Sequence, residues 1–74
     1  MKLYTRTVCP RCLWIKSELA RAGIEAEVVN IERDEEARER LLEAGIKSVP
    51  ALEIEGRLLA DPAEMMEAVE QMRP

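Results

Sequence analysis

The sequence contains no histidine, no phenylalanine and only two cysteines among its 74 residues. Two cysteines without histidine cannot complete a four-ligand zinc or iron–sulfur site within one chain. Tyr4 and Trp14 are the only aromatic residues, so aliphatic side chains must build the core. No apolar run approaches the length of a membrane-spanning helix, and we therefore expect no membrane partner.

The chain is also too short for more than one folding unit. Residues 1–74 are predicted to form a single domain with a thin core, most simply as a monomer. No signal-peptide apolar region follows Met1, so a cytoplasmic location is expected. In that compartment a cysteine pair is more often catalytic or metal-binding than a structural disulfide.

Charge is unevenly distributed along the chain. The overall formal charge is −4, yet the first 22 residues carry five basic side chains against Glu18 alone. This asymmetry is explained either by ordinary solvated surface or by a positive end that favours thiolates and anionic thiols. The chain has a net negative charge and no stripe of basic residues with aromatic residues between them, so nucleic-acid binding is not expected.

The segment Cys9-Pro10-Arg11-Cys12 lies between a strand pattern, Lys2–Thr5, and a helical pattern that runs to Gly23. A C-x-x-C between a strand and a helix, near a βαβ pattern, is typical of a thiol–disulfide redox motif. Pro10 suits the first helical turn. The predicted buried face of this helix is Cys12, Ile15, Leu19 and Ala22.

The remaining elements follow from periodicity and caps. A strand is predicted over Glu25–Ile31, and a helix capped by Asp34 is predicted to end at Gly45, with Ala37, Leu41 and Ala44 buried. A hairpin of Ala51–Glu55 and Arg57–Ala60 turns at Gly56. Asp61-Pro62-Ala63-Glu64 predicts a capping box at the start of a last helix, with Met65, Val69 and Met72 buried. The order is βαβαββα, an α/β chain with a four-stranded mixed sheet and helices on both faces.

With these motifs in place, the whole chain resembles the small glutaredoxin-like proteins of the thioredoxin superfamily. The similar segments are the strand and loop from Tyr4 to Cys12, Ser48-Val49-Pro50, Gly56 in the hairpin, and Asp61 before the last helix. The resemblance implies the thioredoxin fold, with strand order second, first, third, fourth and an antiparallel third strand. It places the first and third helices on one face, and a cis Pro50 against the dithiol.

The resemblance also implies a dithiol–disulfide oxidoreductase that reduces protein or glutathione mixed disulfides. Cys9, at the N-cap of the first helix, is expected to be a thiolate that attacks the substrate. Cys12, one turn later and more buried, is expected to resolve the mixed disulfide. Arg6 and Arg11 are expected to favour the thiolate.

Substrate contacts are expected from the Ser48-Val49-Pro50 segment, where the backbone at Val49 can pair with an incoming peptide. Arg6 or Lys47 can bind the glycyl carboxylate of glutathione. Asp61 can bind its γ-glutamyl ammonium, although helix capping alone also explains this residue. Trp14 is expected to be partly exposed, either in ordinary packing or at a protein-docking face.

Two electron sources remain open. The basic N-terminal third favours glutathione, as a co-substrate rather than a bound cofactor. Arg11 in place of the family's usual aromatic, and the lack of glycine in Leu59–Pro62, favour a flavoenzyme of the thioredoxin-reductase type. The Thr5-Arg6 pair that opens the active-site loop likewise resembles redoxins that pass electrons from that reductase to ribonucleotide reductase.

Two further classes are retained as alternatives. Four cysteines from a dimer, or two with glutathione thiolates, would suffice for an iron–sulfur or metal carrier, although Pro10 disfavours this in the family. The second class is a non-catalytic interaction module, against which the intact C-P-x-C argues. No metal ligand is predicted within one chain.

Overall fold

A computed structural model describes residues 1–73, and Pro74 lies outside the described residues. The elements follow one another as predicted: β1 (Lys2–Thr5), α1 (Pro10–Arg21), β2 (Glu27–Asn30), α2 (Glu35–Glu43), β3 (Ala51–Ile54), β4 (Arg57–Leu59) and α3 (Pro62–Met72). The four strands form one sheet in the order β2-β1-β3-β4. β2 is parallel to β1, whereas β3 is antiparallel to both β1 and β4.

Side chains on the central strands alternate between two core clusters. Leu3 on β1 and its partner Leu52 on β3 join the cluster on the face covered by α1 and α3, which supply Ile15 and Met65. The next pair, Tyr4 and Ala51, belongs to the opposite cluster with the α2 residues Ala37 and Leu41. This alternation is the period-2 geometry of a strand, and it confirms the predicted placement of the three helices.

Helices α1 and α2 end in the same way. Gly23 and Gly45 have φ of +73° and +78°, the left-handed conformation in which glycine costs least. The next residue then donates back into the helix, from Ile24 N–H to the Leu19 carbonyl and from Ile46 N–H to the Leu41 carbonyl, both at 2.9 Å. These bonds are Schellman motifs, and they fold an apolar side chain back onto each core.

The predicted Asp34 cap is confirmed, since its carboxylate accepts a hydrogen bond from Ala37 N–H at 3.0 Å. The predicted Asp61 capping box is wrong in its side-chain part. Asp61 occupies the N-cap of α3, but its carboxylate makes no cap hydrogen bond. Pro62 at the first helical position fixes φ and has no N–H to satisfy, so this helix start depends less on a side-chain cap.

Three other expectations are corrected. β2 is shorter than the predicted Glu25–Ile31, because β1 offers only four residues to pair with it. Ala44 is exposed, since it is the C-cap of α2 and lies beyond the last turn. Met72 is exposed because α3, with eleven residues, rises roughly 16 Å, whereas a four-residue strand rises roughly 13 Å.

Within residues 1–73, no helix has the length and apolar content needed to cross a membrane. The same part of the chain holds no group of three or more cysteine, aspartate or glutamate side chains arranged to bind a metal ion.

Candidate active site

The two cysteines lie at the carboxyl end of β1, where the chain turns into α1. Cys9 is the N-cap of the helix, with extended backbone, and Pro10 occupies the first helical position. The two sulfurs are joined as a Cys9–Cys12 disulfide, with the Cα atoms 5.2 Å apart. This confirms the predicted position of the pair on one side of the first helical turn.

A backbone N–H in the first turn of α1 donates a hydrogen bond to the Cys9 sulfur. The Cys12 N–H donates to Cys9 Sγ at 3.2 Å, so the sulfur acts as the capping group of the helix. No acidic residue lies in this first turn. Sulfur at this position lies in the positive end of the helix dipole, which stabilises a thiolate over a thiol.

The two cysteines differ in access to solvent. Cys9 is 9% exposed and Cys12 only 2%, in the same core cluster. Cys9 also has a contact from a distant part of the chain, with its Sγ 3.9 Å from the Val49 carbonyl oxygen. The Val49–Pro50 peptide bond is cis, as the resemblance implied.

Two surface depressions flank the dithiol. The first, here called the Trp14 groove, is lined by Arg11, Trp14, Ser48, Val49, Pro50, Ala60, Pro62 and Met65. The second, here called the Leu13 depression, is lined by Arg6, Thr7, Val8, Cys9, Pro10, Cys12, Leu13 and Lys16.

The predicted substrate-binding residues do not all lie in one depression. Four of them meet in the Trp14 groove, namely Arg11, Ser48, Val49 and Pro50. Arg6 lies instead in the Leu13 depression, where its Nε donates to the Val8 carbonyl at 3.1 Å. Lys47 and Asp61 are exposed and line neither depression, although each is adjacent in sequence to a lining residue of the groove.

The apolar wall of the Trp14 groove was not part of the predicted site. Pro62 and Met65 bring the start of α3 to the same groove as Trp14, which is half-buried as predicted. Met65 was assigned to the core from its helical spacing, and it is fully buried there. A helix that begins beside the site can contribute residues to both the core and the groove. Hydrophobic periodicity predicts only the core residues.

A hydrogen-bond network behind the active-site loop was also missed. Glu32 Oε1 accepts from Thr7 N–H at 2.9 Å, and Asn30 Nδ2 donates to Thr7 Oγ1 at 3.2 Å. Hydrogen bonding by Thr7, from its side chain and from its N–H, holds the pKa of Glu32 below its usual value. The signal was available, since Asn30 and Glu32 follow a strand parallel to β1, and the carboxyl ends of parallel strands meet at one edge.

A second network lies at the sheet, away from the dithiol. Tyr4 donates its hydroxyl to Glu53 Oε1 at 2.5 Å, and Arg40 Nε donates to the same oxygen at 2.9 Å. The hydrogen bonds from Tyr4 and Arg40 lower the pKa of Glu53. Burial, followed by the bond to Glu53, raises the pKa of Tyr4. This network joins β1, β3 and α2.

Two solved structures of the thioredoxin-like protein BC3987 are similar to the chain. One, of a mutant of that protein, superposes with a TM-score of 0.82 at 26% identity, covering 96% of this chain and 94% of the other. The second structure gives 0.79 at 28% identity, covering 92% and 96%. No curated protein sequence matches significantly.

The family model described as Glutaredoxin matches residues 1–59, which include the cysteine pair, the cis-proline segment and all four strands. Its extent agrees with the thioredoxin-like fold and with the disulfide at the N-terminus of α1. Glutathione or disulfide-bearing proteins are the partners that this match indicates. The chain is a thiol–disulfide oxidoreductase and belongs to the glutaredoxin family.

Proposed function

We propose that the chain reduces protein disulfides and glutathione mixed disulfides, with Cys9 as the attacking thiolate and Cys12 as the resolving thiol. The observation that carries the proposal is the position of Cys9 Sγ at the N-cap of α1, where the Cys12 N–H donates to it at 3.2 Å. The greater exposure of Cys9 supports the division of roles, because the attacking sulfur must reach a partner and the resolving sulfur must not.

The exchange moves two electrons and two protons in two steps. The Cys9 thiolate attacks one sulfur of the substrate disulfide, and the other sulfur leaves as a thiolate. Cys12 then loses its proton and attacks Cys9 Sγ in the mixed disulfide, expelling the second substrate sulfur. Protonation of both substrate thiolates completes their reduction, and the chain is left with the Cys9–Cys12 disulfide.

The Trp14 groove supports a position for the substrate backbone. Val49 brings its carbonyl within 3.9 Å of Cys9 Sγ, so an extended segment paired with the Val49 backbone would pass the reactive sulfur. Trp14 and Pro62 give the groove apolar surface, and the buried Met65 also lines it. Arg11, between the cysteines, is placed to meet an anionic group of the substrate.

Glutathione is the electron donor we propose for regenerating the dithiol. Arg6 or Lys47 would bind a carboxylate of the tripeptide and Asp61 its ammonium group. The support for Asp61 is that its carboxylate does not cap α3 and that the residue is adjacent in sequence to the groove residues Ala60 and Pro62. A flavoenzyme of the thioredoxin-reductase type is the alternative donor, favoured by the apolar character of the groove.

The deciding experiment offers oxidised protein each donor separately and follows NADPH consumption. One reaction contains glutathione with glutathione reductase, and the other contains thioredoxin reductase. Turnover with glutathione alone supports the proposal. In that case Asp61→Asn should raise the KM for glutathione, while Asp34→Asn, which changes an N-cap carboxylate on α2, should not. Turnover with the flavoenzyme alone would show that the flavoenzyme, and not glutathione, is the electron donor.

A further inference from the structure

Two of the most exposed apolar side chains in the chain lie immediately around the dithiol. Val8 is 76% exposed and Leu13 is 64% exposed, one just before Cys9 and one just after Cys12. Single exposed apolar residues need no explanation, but both of these line the Leu13 depression together with the reactive sulfur. Exposed apolar surface is therefore present where a disulfide partner must approach Cys9.

The apolar surface continues from Leu13 along α1. Leu13, Lys16 and Ala20 are spaced by three and four residues on one exposed helix face. Lys16 lines both the Leu13 depression and the neighbouring depression, which includes Ala20 and the exposed Val28 of edge strand β2. The stem of a lysine covers apolar surface well. This strip, defined by Val8, Leu13, Lys16, Ala20 and Val28, is here called the Leu13 strip.

The charge at the dithiol end of the strip has one sign. Arg6 and Lys16 line the Leu13 depression, and none of its lining residues is acidic. Arg6 is held over the loop by its bond to the Val8 carbonyl. The nearby carboxylate Glu32 is already engaged by the Thr7 N–H and offsets part of the Arg6 charge. An occupant of the strip would therefore gain from carrying carboxylates beside an apolar side chain.

We propose that the Leu13 strip is the docking surface for an acidic protein partner. That partner presents an apolar side chain, flanked by Asp or Glu, next to its reactive disulfide. The inference rests on the proposed function, since docking matters only if Cys9 exchanges with the partner. It specifies the substrate class as acidic disulfide-bearing proteins that approach Cys9 through the Leu13 depression rather than through the Trp14 groove.

The test uses three synthetic peptides that share one intramolecular disulfide ring. Outside the ring, the first carries Leu and two Glu, the second Ser and two Glu, and the third Leu and two Lys. Hydroxyethyl disulfide serves as the small substrate. The measured quantity is the second-order rate constant for oxidation of the reduced full-length protein at low and high salt. We expect the first peptide to react roughly tenfold faster than the others, a difference that salt reduces.

Variants then locate the preference on the protein. Leu13→Gln replaces the apolar side chain by a polar one of similar size and should reduce the rate ratio between the first and second peptides about tenfold. Val8→Thr, a nearly isosteric change, should reduce it in the same direction. Leu42→Gln is the matched control, because Leu42 is 60% exposed on α2 and lies outside both depressions. Lys16→Glu should remove the preference for Glu over Lys, whereas Arg38→Glu, the same charge change on α2, should not.

The outcomes separate the docking proposal from the proposed function. Equal rates for the three peptides, or an unchanged ratio in both Leu13→Gln and Val8→Thr, would overturn docking on this strip while leaving Cys9 exchange intact. A Cys9→Ser protein that still reduces hydroxyethyl disulfide would overturn the proposed function itself.

Discussion

Cys9 Sγ lies 3.9 Å from the carbonyl oxygen of Val49, a residue forty positions later in the chain. The contact joins the N-terminus of α1 to the segment just before β3, so two loops from different parts of the sequence enclose one sulfur. Val49 also lines the Trp14 groove, and Cys9 lines the Leu13 depression.

Replacing each cysteine by serine should give different products. Cys9→Ser removes the attacking thiolate, and we expect turnover with any disulfide to disappear. Cys12→Ser leaves the attack intact but removes resolution, so the protein should accumulate as a mixed disulfide at Cys9. Mass spectrometry after acid quenching measures both. Mixed disulfide trapped on Cys12 in the Cys9→Ser protein would reverse the assigned roles.

In the reduced protein the pKa of the Cys9 thiol should lie below the usual value of about 8.5 for a free cysteine. The cause is the first-turn donor, Cys12 N–H, together with the dipole of α1. The ultraviolet absorbance of the thiolate, followed against pH, measures it. Arg11→Gln should raise the pKa, whereas Arg21→Gln, which removes the same charge from the far end of α1, should change it less. A thiol that titrates at about 8.5 would contradict the helix-cap argument.

The stability of the fold should depend on the ionisation of Glu53. Tyr4 and Arg40 lower the pKa of Glu53 in the folded state, so its stabilising effect is full above the unfolded value and is lost as pH falls through the folded pKa. We expect Glu53→Gln to lower the free energy of unfolding by about 1 kcal/mol at neutral pH. The difference between wild type and variant should shrink on acidification. Urea denaturation across pH measures it.

At alkaline pH the same network should make stability fall as pH rises, the reverse of the dependence at acidic pH. Burial raises the pKa of Tyr4, so folding favours its neutral form, and this contribution is lost as pH rises through the raised value. Tyr4→Phe should remove that alkaline dependence.

Glu39→Gln, which changes an exposed carboxylate of α2, is the matched control for the acidic dependence on Glu53. An equal effect of Glu39→Gln and Glu53→Gln would indicate a general charge effect rather than this network.

The β3–β4 turn should be open to stabilisation. Glu55 and Gly56 have φ of +49° and +82°, the pattern of a two-residue hairpin turn that favours Asn-Gly. This conformation costs a residue other than glycine roughly 1–2 kcal/mol, and asparagine tolerates it best. Glu55→Asn should therefore raise the free energy of unfolding by about 0.5–1 kcal/mol. Glu55→Val, which is β-branched, should lower it, and the opposite order in thermal unfolding would contradict the argument.

Local features of the sequence predicted most of the architecture. Pro10, Gly23, Gly45 and Pro62 act through their own backbone preferences, so the helix bounds could be placed from residues within a few positions of each end. The stripe on α1 was right in full because both ends of that helix lie over the sheet. The predicted burial of Ala44 after α2 and of Met72 in α3 was wrong, because the apolar spacing continues along a helix beyond the end of the core beneath it.

The sequence by itself determined the order of elements, the C-P-R-C motif at a helix N-terminus and the imbalance of charge, because each depends on neighbours along the chain. Only the tertiary structure decided that Arg6 and Arg11 line different depressions and that Glu53 Oε1 accepts hydrogen bonds from both Tyr4 and Arg40. It also placed Val8 and Leu13 in one exposed surface. These arrangements depend on strand register and on where loops from distant segments meet, and a side chain's identity does not specify its distant neighbours.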